Sequence, residues 1–312
     1  MKPRVIQIGR LQASLESALA EEFDTHALWR ESDATAFLAR EGGAFTAMAT
    51  SARSGADAKL MDALPQLRVI SNFGVGYETI DVEAARNRGI AVANTPDVLT
   101  DCVADLAIGL MIDVARGLSA ADRFVRRGAW TKGQFPLATR VSAKRLGILG
   151  LGRIGNAIAK RAQGFDMQIR YHNRRPVAGT TYEHVPSLVE LARWADFLVV
   201  AAAGGPATRN LVSSEVIDAL GKDGFLVNIA RGSVVDEPAL VQALSEKQIA
   251  GAALDVFVDE PNVPAALMQL DNVVLLPHIA SGTHETRNAM GNLVLENLRA
   301  FFSTGRVLTP VA

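Results

Sequence analysis

The sequence predicts an α/β chain of two domains, each a doubly wound parallel sheet with helices on both faces. Three observations predict it. The 312 residues exceed one typical domain and suit two. Short apolar runs bounded by Gly, Pro and polar turns alternate with helix-period stretches along most of the chain. Near the middle, one apolar run passes directly into G-x-G-x-x-G and then into a helical pattern.

The elements follow in order. Val5-Ile-Gln-Ile reads as a strand, and Leu11 to Phe23 as a helix with Leu15, Leu19 and Phe23 on one face. Ala44 to Thr50 reads as a strand ending in the turn Ser51-Ala-Arg-Ser-Gly55. Ala56 to Leu64 is a helix stopped by Pro65. Leu67-Arg-Val-Ile-Ser is a strand that runs into Asn72-Phe-Gly74-Val-Gly76. Val82 to Arg88 is a short helix ended by Gly89, and Ile90 to Asn94 the next strand. Pro96 breaks the chain before a long apolar helix, Thr100 to Leu118, and a second one, Ala120 to Gly128, which leads to Trp130. Thr131 to Ser142 is irregular. Further strands start at Arg145, Met167, Phe197, Phe225, Gly251 and Val273. The last helix, His284 to Phe302, carries Met290, Leu293, Val294, Leu298 and Phe301 at helical spacing, a core face expected to return to the first domain. The expected division is therefore 1–98 with 283–312, and 99–282. No internal repeat or low-complexity segment stands out.

Composition excludes several classes. The chain is 49% hydrophobic and 21% charged with a net charge of −1, so it can bury real cores, and neither a basic tail nor a basic balance points to nucleic acid. No apolar run has the length of a membrane span. The N-terminal Met-Lys-Pro-Arg-Val-Ile reads as a strand, not a signal peptide. Cys102 is the one cysteine, so no intrachain disulfide forms, and a reducing compartment, the cytoplasm, is expected. Its apolar helical context reads as a buried structural thiol. The five histidines show no metal-ligand spacing, so no metal is expected.

The glycine-rich turn has the context of a dinucleotide fingerprint. Gly150 permits the tight turn, Gly152 lets backbone approach a pyrophosphate, and Gly155 lets helix and strand pack closely. The N–H groups at the start of the following helix suit phosphate oxygens. An NAD enzyme wants Asp or Glu at the end of the second strand to bind the ribose hydroxyls. Asn173, Arg174 and Arg175 stand there instead. One neutral side chain and two guanidiniums suit a 2′-phosphate, which favours NADP(H). The competing reading is a solvated basic loop.

Three polar residues lie just past predicted strand ends: Arg231, Glu260 and His278. In open α/β sheets ligands bind outside the carboxyl ends of strands, so these tips can share one cleft. A guanidinium can grip a carboxylate and polarise the adjacent carbonyl. An imidazolium can give its proton to a new alkoxide as hydride arrives. A carboxylate beside the imidazole orients it and stabilises its charged form. Singly, each has a plainer reading: a loop cation, an exposed ion-pair member, a satisfied histidine behind a proline. Together, and downstream of the fingerprint, they are the set needed to reduce a 2-oxo acid.

The motifs in order are Ser71-Asn-Phe-Gly-Val-Gly76, Asn94-Thr-Pro-Asp-Val-Leu-Thr100, Ala104-Asp-Leu-Ala-Ile-Gly-Leu, Gly150-Leu-Gly-Arg-Ile-Gly155, Asn228-Ile-Ala-Arg-Gly-Ser-Val-Val-Asp236-Glu, Leu254-Asp-Val-Phe, Glu260-Pro, and Leu276-Pro-His278-Ile-Ala-Ser-Gly-Thr283. From Ala44 onward the chain resembles the D-isomer-specific 2-hydroxyacid dehydrogenase family, in its glyoxylate/hydroxypyruvate and hydroxyphenylpyruvate reductase branch. The resemblance implies a flavodoxin-like substrate domain and a Rossmann dinucleotide-binding domain. It implies Arg231 as substrate anchor, Glu260 as histidine partner and His278 as proton donor. It places the substrate carboxylate on the N–H groups of Val75 and Gly76, and Gly152, Arg153 and Ile154 along the pyrophosphate. The Ala230 carbonyl and the Asp255 carboxylate would hold the nicotinamide amide, with Thr100 near the ring. Trp130 would reach the partner subunit of a homodimer; a buried aromatic without a functional role is the competing reading. Formate dehydrogenases place Gln where this chain has Glu260. The C-terminal regulatory domain common in phosphoglycerate dehydrogenases is not expected.

Two functions stand side by side. One is an NADPH-dependent reductase of a small 2-oxo acid, glyoxylate or hydroxypyruvate first and phenylpyruvates next, giving the D-2-hydroxy acid. Its substrate would lie between the domains, and closure about Pro96–Thr100 and Ser281–His284 would exclude water. The other is a dinucleotide-sensing protein like the corepressors related to the family, since fold alone does not decide function. Met48, Ser51, Arg53 and Leu99 are expected to shape the substrate pocket, with Arg53 facing either a second acidic or hydroxylated group or water.

Overall fold

The computed structural model describes residues 2–311. By its internal contacts the chain divides into two compact units, Met1–Leu99 with Thr283–Ala312, and Thr100–Gly282.

The first unit is built on β1 (Arg4–Gln7), α1 (Ala13–Glu22), β2 (Asp24–Ala27), α2 (Ala34–Glu41), β3 (Ala47–Ser51), α3 (Ala58–Asp62), β4 (Val69–Phe73), α4 (Val82–Asn87) and β5 (Ala91–Ala93). All pairings are parallel, and the strands lie in the order β2-β1-β3-β4-β5, the flavodoxin-like arrangement. Parallel strands covered on both faces read as continuous apolar runs, and β3 and β4 are buried along almost their whole length. The weakly patterned β2 and α2 escape a reading by periodicity, because β2 is an edge strand without a buried residue and α2 buries only Phe37. Asp33, Asp57 and Asp81 start α2, α3 and α4 by accepting a backbone N–H. One core joins Ile6, Phe45, Met48, Ile70 and Val92.

The second unit contains α5 (Thr100–Arg116), α6 (Leu118–Arg126), β6 (Arg145–Leu149), α7 (Arg153–Ala162), β7 (Gln168–His172), β8 (Glu183–His184), α8 (Leu188–Trp194), β9 (Phe197–Val200), α9 (Ser214–Leu220), β10 (Phe225–Asn228), α10 (Glu237–Ser245), β11 (Gly251–Leu254), α11 (Ala265–Met268) and β12 (Val273–Leu275). Its seven parallel strands run β12-β11-β10-β9-β6-β7-β8, so chain direction across the sheet reverses between β6 and β9. That reversal is the topological switch point where doubly wound sheets bind nucleotides. The core under α8, α9 and α10 includes Leu191, Leu198, Leu226 and Leu240.

The long helix α12 (His284–Thr304) belongs to the first unit. Met290, Val294, Leu298 and Phe301 are buried on it, and the Ser71 hydroxyl donates to the Val294 carbonyl at 3.1 Å. Leu293, expected on that same face, is only half-buried. The tail after α12 pairs with β5: Ala93 bridges Pro310, and Val311 N–H donates to Val92 at 2.8 Å.

Three expectations change here. Cys102 is half-buried, not buried. Trp130 is 69% exposed, which removes the buried-aromatic reading. Met48 is fully enclosed in the core of its sheet, and Leu99 is buried too. Among the described residues no helix is long and apolar enough to cross a membrane, and no cluster of His, Cys, Asp or Glu could hold a metal.

Candidate active site

Each unit presents its functional residues at the carboxyl edge of its own sheet. In the first unit the loop after β4, Gly74-Val-Gly76, is held by its carbonyls. Asn72 Nδ2 donates to the carbonyls of Gly74 (3.2 Å) and Gly76 (2.9 Å). Asn94 Nδ2 donates to the Val75 carbonyl at 2.8 Å, and the Gly74 carbonyl also accepts from Thr95 N–H at 3.0 Å. With the carbonyls tied inward, the N–H groups of Val75 and Gly76 have no acceptor among the described residues. Two adjacent free N–H groups form an anion-binding concavity. The C-terminal tail supports this loop. Thr309 Oγ1 donates to the Asn94 carbonyl (2.6 Å), and the buried Asn297 accepts the N–H groups of Leu308 (2.9 Å) and Thr309 (3.0 Å). Ser51, half-buried at the end of β3, closes its turn by accepting from Ser54 N–H, and Arg53 is exposed on that turn.

In the second unit the switch point carries the glycine-rich turn. Gly150 has φ +98°, and a Cβ there would lie 2.6 Å from Ala202 N. A Cβ on Gly155 would meet the Gly150 carbonyl oxygen at 2.1 Å, so helix and turn touch backbone to backbone. Gly152, in contrast, would meet nothing within 4 Å. It is the N-cap of α7 and brings no side chain to the first N–H groups of that helix. Arg153 and Ile154 lie in that first turn, and the N-terminus of a helix suits phosphate oxygens. Asn173 Oδ1 accepts Leu151 N–H at 2.7 Å, which fastens the end of β7 to the same turn. Two rings hold the loop that follows. His184 Nε2 meets the Asn173 carbonyl at 2.9 Å, and the buried Tyr171 hydroxyl accepts Val177 N–H at 2.8 Å. Arg174 and Arg175 are exposed on the loop so held. This donor set fits a dinucleotide with a 2′-phosphate: an open backbone for the pyrophosphate, and two guanidiniums where a ribose-binding carboxylate would stand.

Arg231, Glu260 and His278 follow β10, β11 and β12, three neighbouring strands of that sheet. Asn228, buried at the end of β10, shapes the arginine loop. Its Oδ1 accepts Ala230 N–H, and its Nδ2 donates to the Arg231 carbonyl, both at 3.0 Å. Gly232 must lack a side chain, since a Cβ would fall 1.9 Å from the carbonyl carbon of Phe257. The arginine loop and the Glu260 loop thus share a backbone contact. Glu260 Oε1 accepts Phe257 N–H at 3.1 Å, and Oε2 lies 2.7 Å from His278 Nδ1. A carboxylate only accepts, so Nδ1 carries the proton in this pair and Nε2 is left for the reacting group.

His278 itself is strained, with φ +56° on a non-glycine residue. Asp255 maintains that conformation. Its two oxygens accept the N–H groups of Ile279 (2.7 Å) and Ala280 (2.8 Å), the two residues after His278. Burial pushes the Asp255 carboxyl above the ordinary aspartate value, and those two N–H groups pull it back only partly. Asp255 is thus completely buried and braces the histidine loop, with one lone pair of each oxygen committed there. The Ala230 carbonyl accepts from Arg231 Nη1 at 2.6 Å, one lone pair being committed there. Thr100 begins α5 and is half-buried.

Asn72, Asn94, Asn228 and Tyr171 were not singled out for roles by sequence reasoning. The signal was present for the asparagines, each a polar residue in or just after an otherwise apolar strand, where burial demands a hydrogen-bonding purpose.

A family model described as D-isomer specific 2-hydroxyacid dehydrogenase, NAD binding domain, matches residues 108–280. The hydroxyphenylpyruvate reductase of Plectranthus scutellarioides is 48% identical over 98% of this chain and 98% of its own length. A glyoxylate/hydroxypyruvate reductase of Arabidopsis thaliana is 47% identical with the same coverage of both chains. Among solved structures, an NADPH-dependent glyoxylate/hydroxypyruvate reductase from Sinorhizobium meliloti, in complex with NADP and malonate, superposes with a TM-score of 0.93. It is 44% identical, with 100% of this chain and 97% of that chain covered.

Proposed function

We propose that this chain, which belongs to the D-isomer specific 2-hydroxyacid dehydrogenase family, reduces a small 2-oxo acid to the D-2-hydroxy acid at the expense of NADPH. Glyoxylate and hydroxypyruvate are the first candidate substrates and phenylpyruvates the next, after the relatives' names. The observation that carries the reading is the Glu260–His278 pair at 2.7 Å, set on strand ends beside Arg231. In balance, the oxo acid takes one hydride and one proton, and NADPH leaves as NADP⁺. The cofactor, when bound, supplies the hydride. Arg174, Arg175 and Asn173 would hold its 2′-phosphate end, and the backbone from Gly150 to Gly155, with Arg153 and Ile154, its pyrophosphate.

The chain's own residues do the rest. The N–H groups of Val75 and Gly76 take the substrate carboxylate, with Ser51 beside them. Arg231 polarises the 2-oxo group and offsets charge as the oxygen becomes alkoxide. His278 Nε2 delivers the proton to that oxygen. Glu260 keeps the ring in the orientation and tautomer that leave Nε2 toward the substrate. The sensing-protein alternative gains no support, since all three chemical residues are present and the relatives are reductases.

The test is loss of reduced-nicotinamide absorbance with glyoxylate, hydroxypyruvate and phenylpyruvate, each with NADPH and NADH. Turnover with NADPH is expected. Silence on all three while NADPH binds would return weight to the sensing reading.

A homodimer and a cytoplasmic location complete the proposal. Trp130, in the 3-10 turn after α6, and Leu137, further along the chain, expose large apolar surface, as do the half-exposed Leu118 and Val125 of α6. Such a patch suits a self-complementary contact. Light scattering should return about twice the 33.2 kDa of one chain. A monomeric mass at working concentration would withdraw the dimer.

A further inference from the structure

The carboxyl edge of the five-stranded sheet carries a row of cations that the reaction above does not use. Because the strands are parallel, the loops after β2, β1, β3 and β4 leave the same edge in that spatial order. They bear Trp29 with Arg30, then Arg10, then Arg53, then Val75 and Gly76. Neighbouring loops touch. Gly9 has φ +74°, and a Cβ there would lie 2.2 Å from Ser54 Oγ, so the Arg10 loop rests on the Arg53–Ser54 turn. A Cβ on Gly74 would lie 3.0 Å from the Ala52 methyl, which sets that same turn against the Val75–Gly76 loop. The guanidinium carbons of Arg10 and Arg30 each lie 4.8 Å from the indole centroid of Trp29.

Arg10, Arg30 and Arg53 are exposed, and among the described residues none pairs with a carboxylate. The acidic residues flanking these loops are committed elsewhere. Glu16 Oε1 accepts from Gln7 Nε2 (2.7 Å) and Leu11 N–H (2.9 Å). Glu31 lies 2.9 Å from His26 Nε2, and Asp57 caps α3.

We propose that this row is a subsite for the tail of the substrate, and that the preferred 2-oxo acid carries a second carboxylate. The proposal rests on the reading that the first carboxylate sits on the N–H groups of Val75 and Gly76. Strands are spaced about 4.8 Å apart, so the Arg53 turn is one strand from that anchor and the Arg10 loop two. A five-carbon dicarboxylate spans about one such spacing, and the arginine stems reach across the rest. Guanidinium forks match carboxylate oxygens in pairs.

The experiment compares kcat/KM for 2-oxoglutarate with that for 2-oxopentanoate, equal in length but one charge poorer, with NADPH throughout and glyoxylate as the tail-less reference. The diacid should be preferred by about tenfold or more. Arg53→Gln and Arg10→Gln should each reduce that preference severalfold, and Arg53→Lys should keep part of it. In the unaltered protein the preference should also shrink as KCl is raised, a response no folding defect imitates. Equal or better use of the neutral acid, or a preference that survives both substitutions, overturns the subsite alone provided glyoxylate is reduced. Failure with glyoxylate as well overturns the reductase reading, and the subsite with it.

Discussion

His278 occupies a left-handed backbone conformation that costs a non-glycine residue roughly 1 kcal/mol or more. Two N–H bonds to the buried Asp255 carboxylate offset that cost. The arrangement places the imidazole where Glu260 can hold Nδ1, so the strain serves orientation. Replacing His278 by Ala should lower kcat by about 10²–10⁴ while leaving NADPH affinity in place. Turnover within a fewfold of the unaltered enzyme would assign the proton to another donor. Arg231 is positioned in a comparable way, through Asn228 on one side and the Gly232–Phe257 contact on the other. In both cases a buried polar group fixes the geometry of a residue proposed to act on the substrate.

At the scale of elements, the end of β7 is where the choice between cofactors is proposed to be made. The strand delivers Asn173 to the glycine-rich turn, and Tyr171 and His184 hold the loop on which Arg174 and Arg175 stand. Guanidiniums on a fixed loop lose less entropy on binding a phosphate than guanidiniums on a free one. Changing Arg174 and Arg175 together to Ala should raise the Kd for NADPH by at least tenfold and leave that for NADH nearly unchanged. An equal loss for both dinucleotides, read by fluorescence titration, would place the 2′-phosphate elsewhere. The Val75–Gly76 loop shows the same economy. Its two N–H groups are available because Asn72, Asn94 and Thr95 hold the intervening carbonyls inward.

For the whole molecule, the sheet of the second unit is closed across β6 and β9 by Arg145 and Asp196. Arg145 donates to Asp196 from its guanidinium (2.7 Å) and its backbone N–H (2.8 Å). Burial raises the Asp196 carboxyl, but these bonds outweigh it, and the group ends below its ordinary value. The folded-state pKa therefore lies under the unfolded one of about 3.9. The contribution to stability is complete above that unfolded value and is lost as pH falls through the lowered one. Thermal unfolding of the unaltered protein and of Asp196→Asn should differ at pH 7, with the gap closing below about pH 4. A gap that stays constant into strong acid would show that shape, not charge, accounts for it.

Much of this was legible in the chain itself. Alternating buried strands and helices announced two parallel-sheet units, because parallel strands must be apolar on both faces. Gly150, Gly152 and Gly155 marked the glycine-rich turn, and at Gly150 and Gly155 the backbone contacts leave no room for a Cβ. Arg174 and Arg175 pointed to NADP(H), because a 2′-phosphate calls for cations where a ribose calls for a carboxylate. Other features needed the folded chain. The edge strand β2 has no buried period to read. Whether Met48 faces a pocket or a core depends on which side of the sheet its neighbours cover, and it proved to be core. That the oxygens of Asp255 brace the loop after His278, through the N–H groups of Ile279 and Ala280, could not be read from its place in the chain. The sequence by itself determined which chemical groups the protein carries and the order in which strands deliver them. Only the tertiary structure decided which of those groups are spent on holding others in place, since residues far apart in the chain compete for each hydrogen bond and only packing selects the pairs that form.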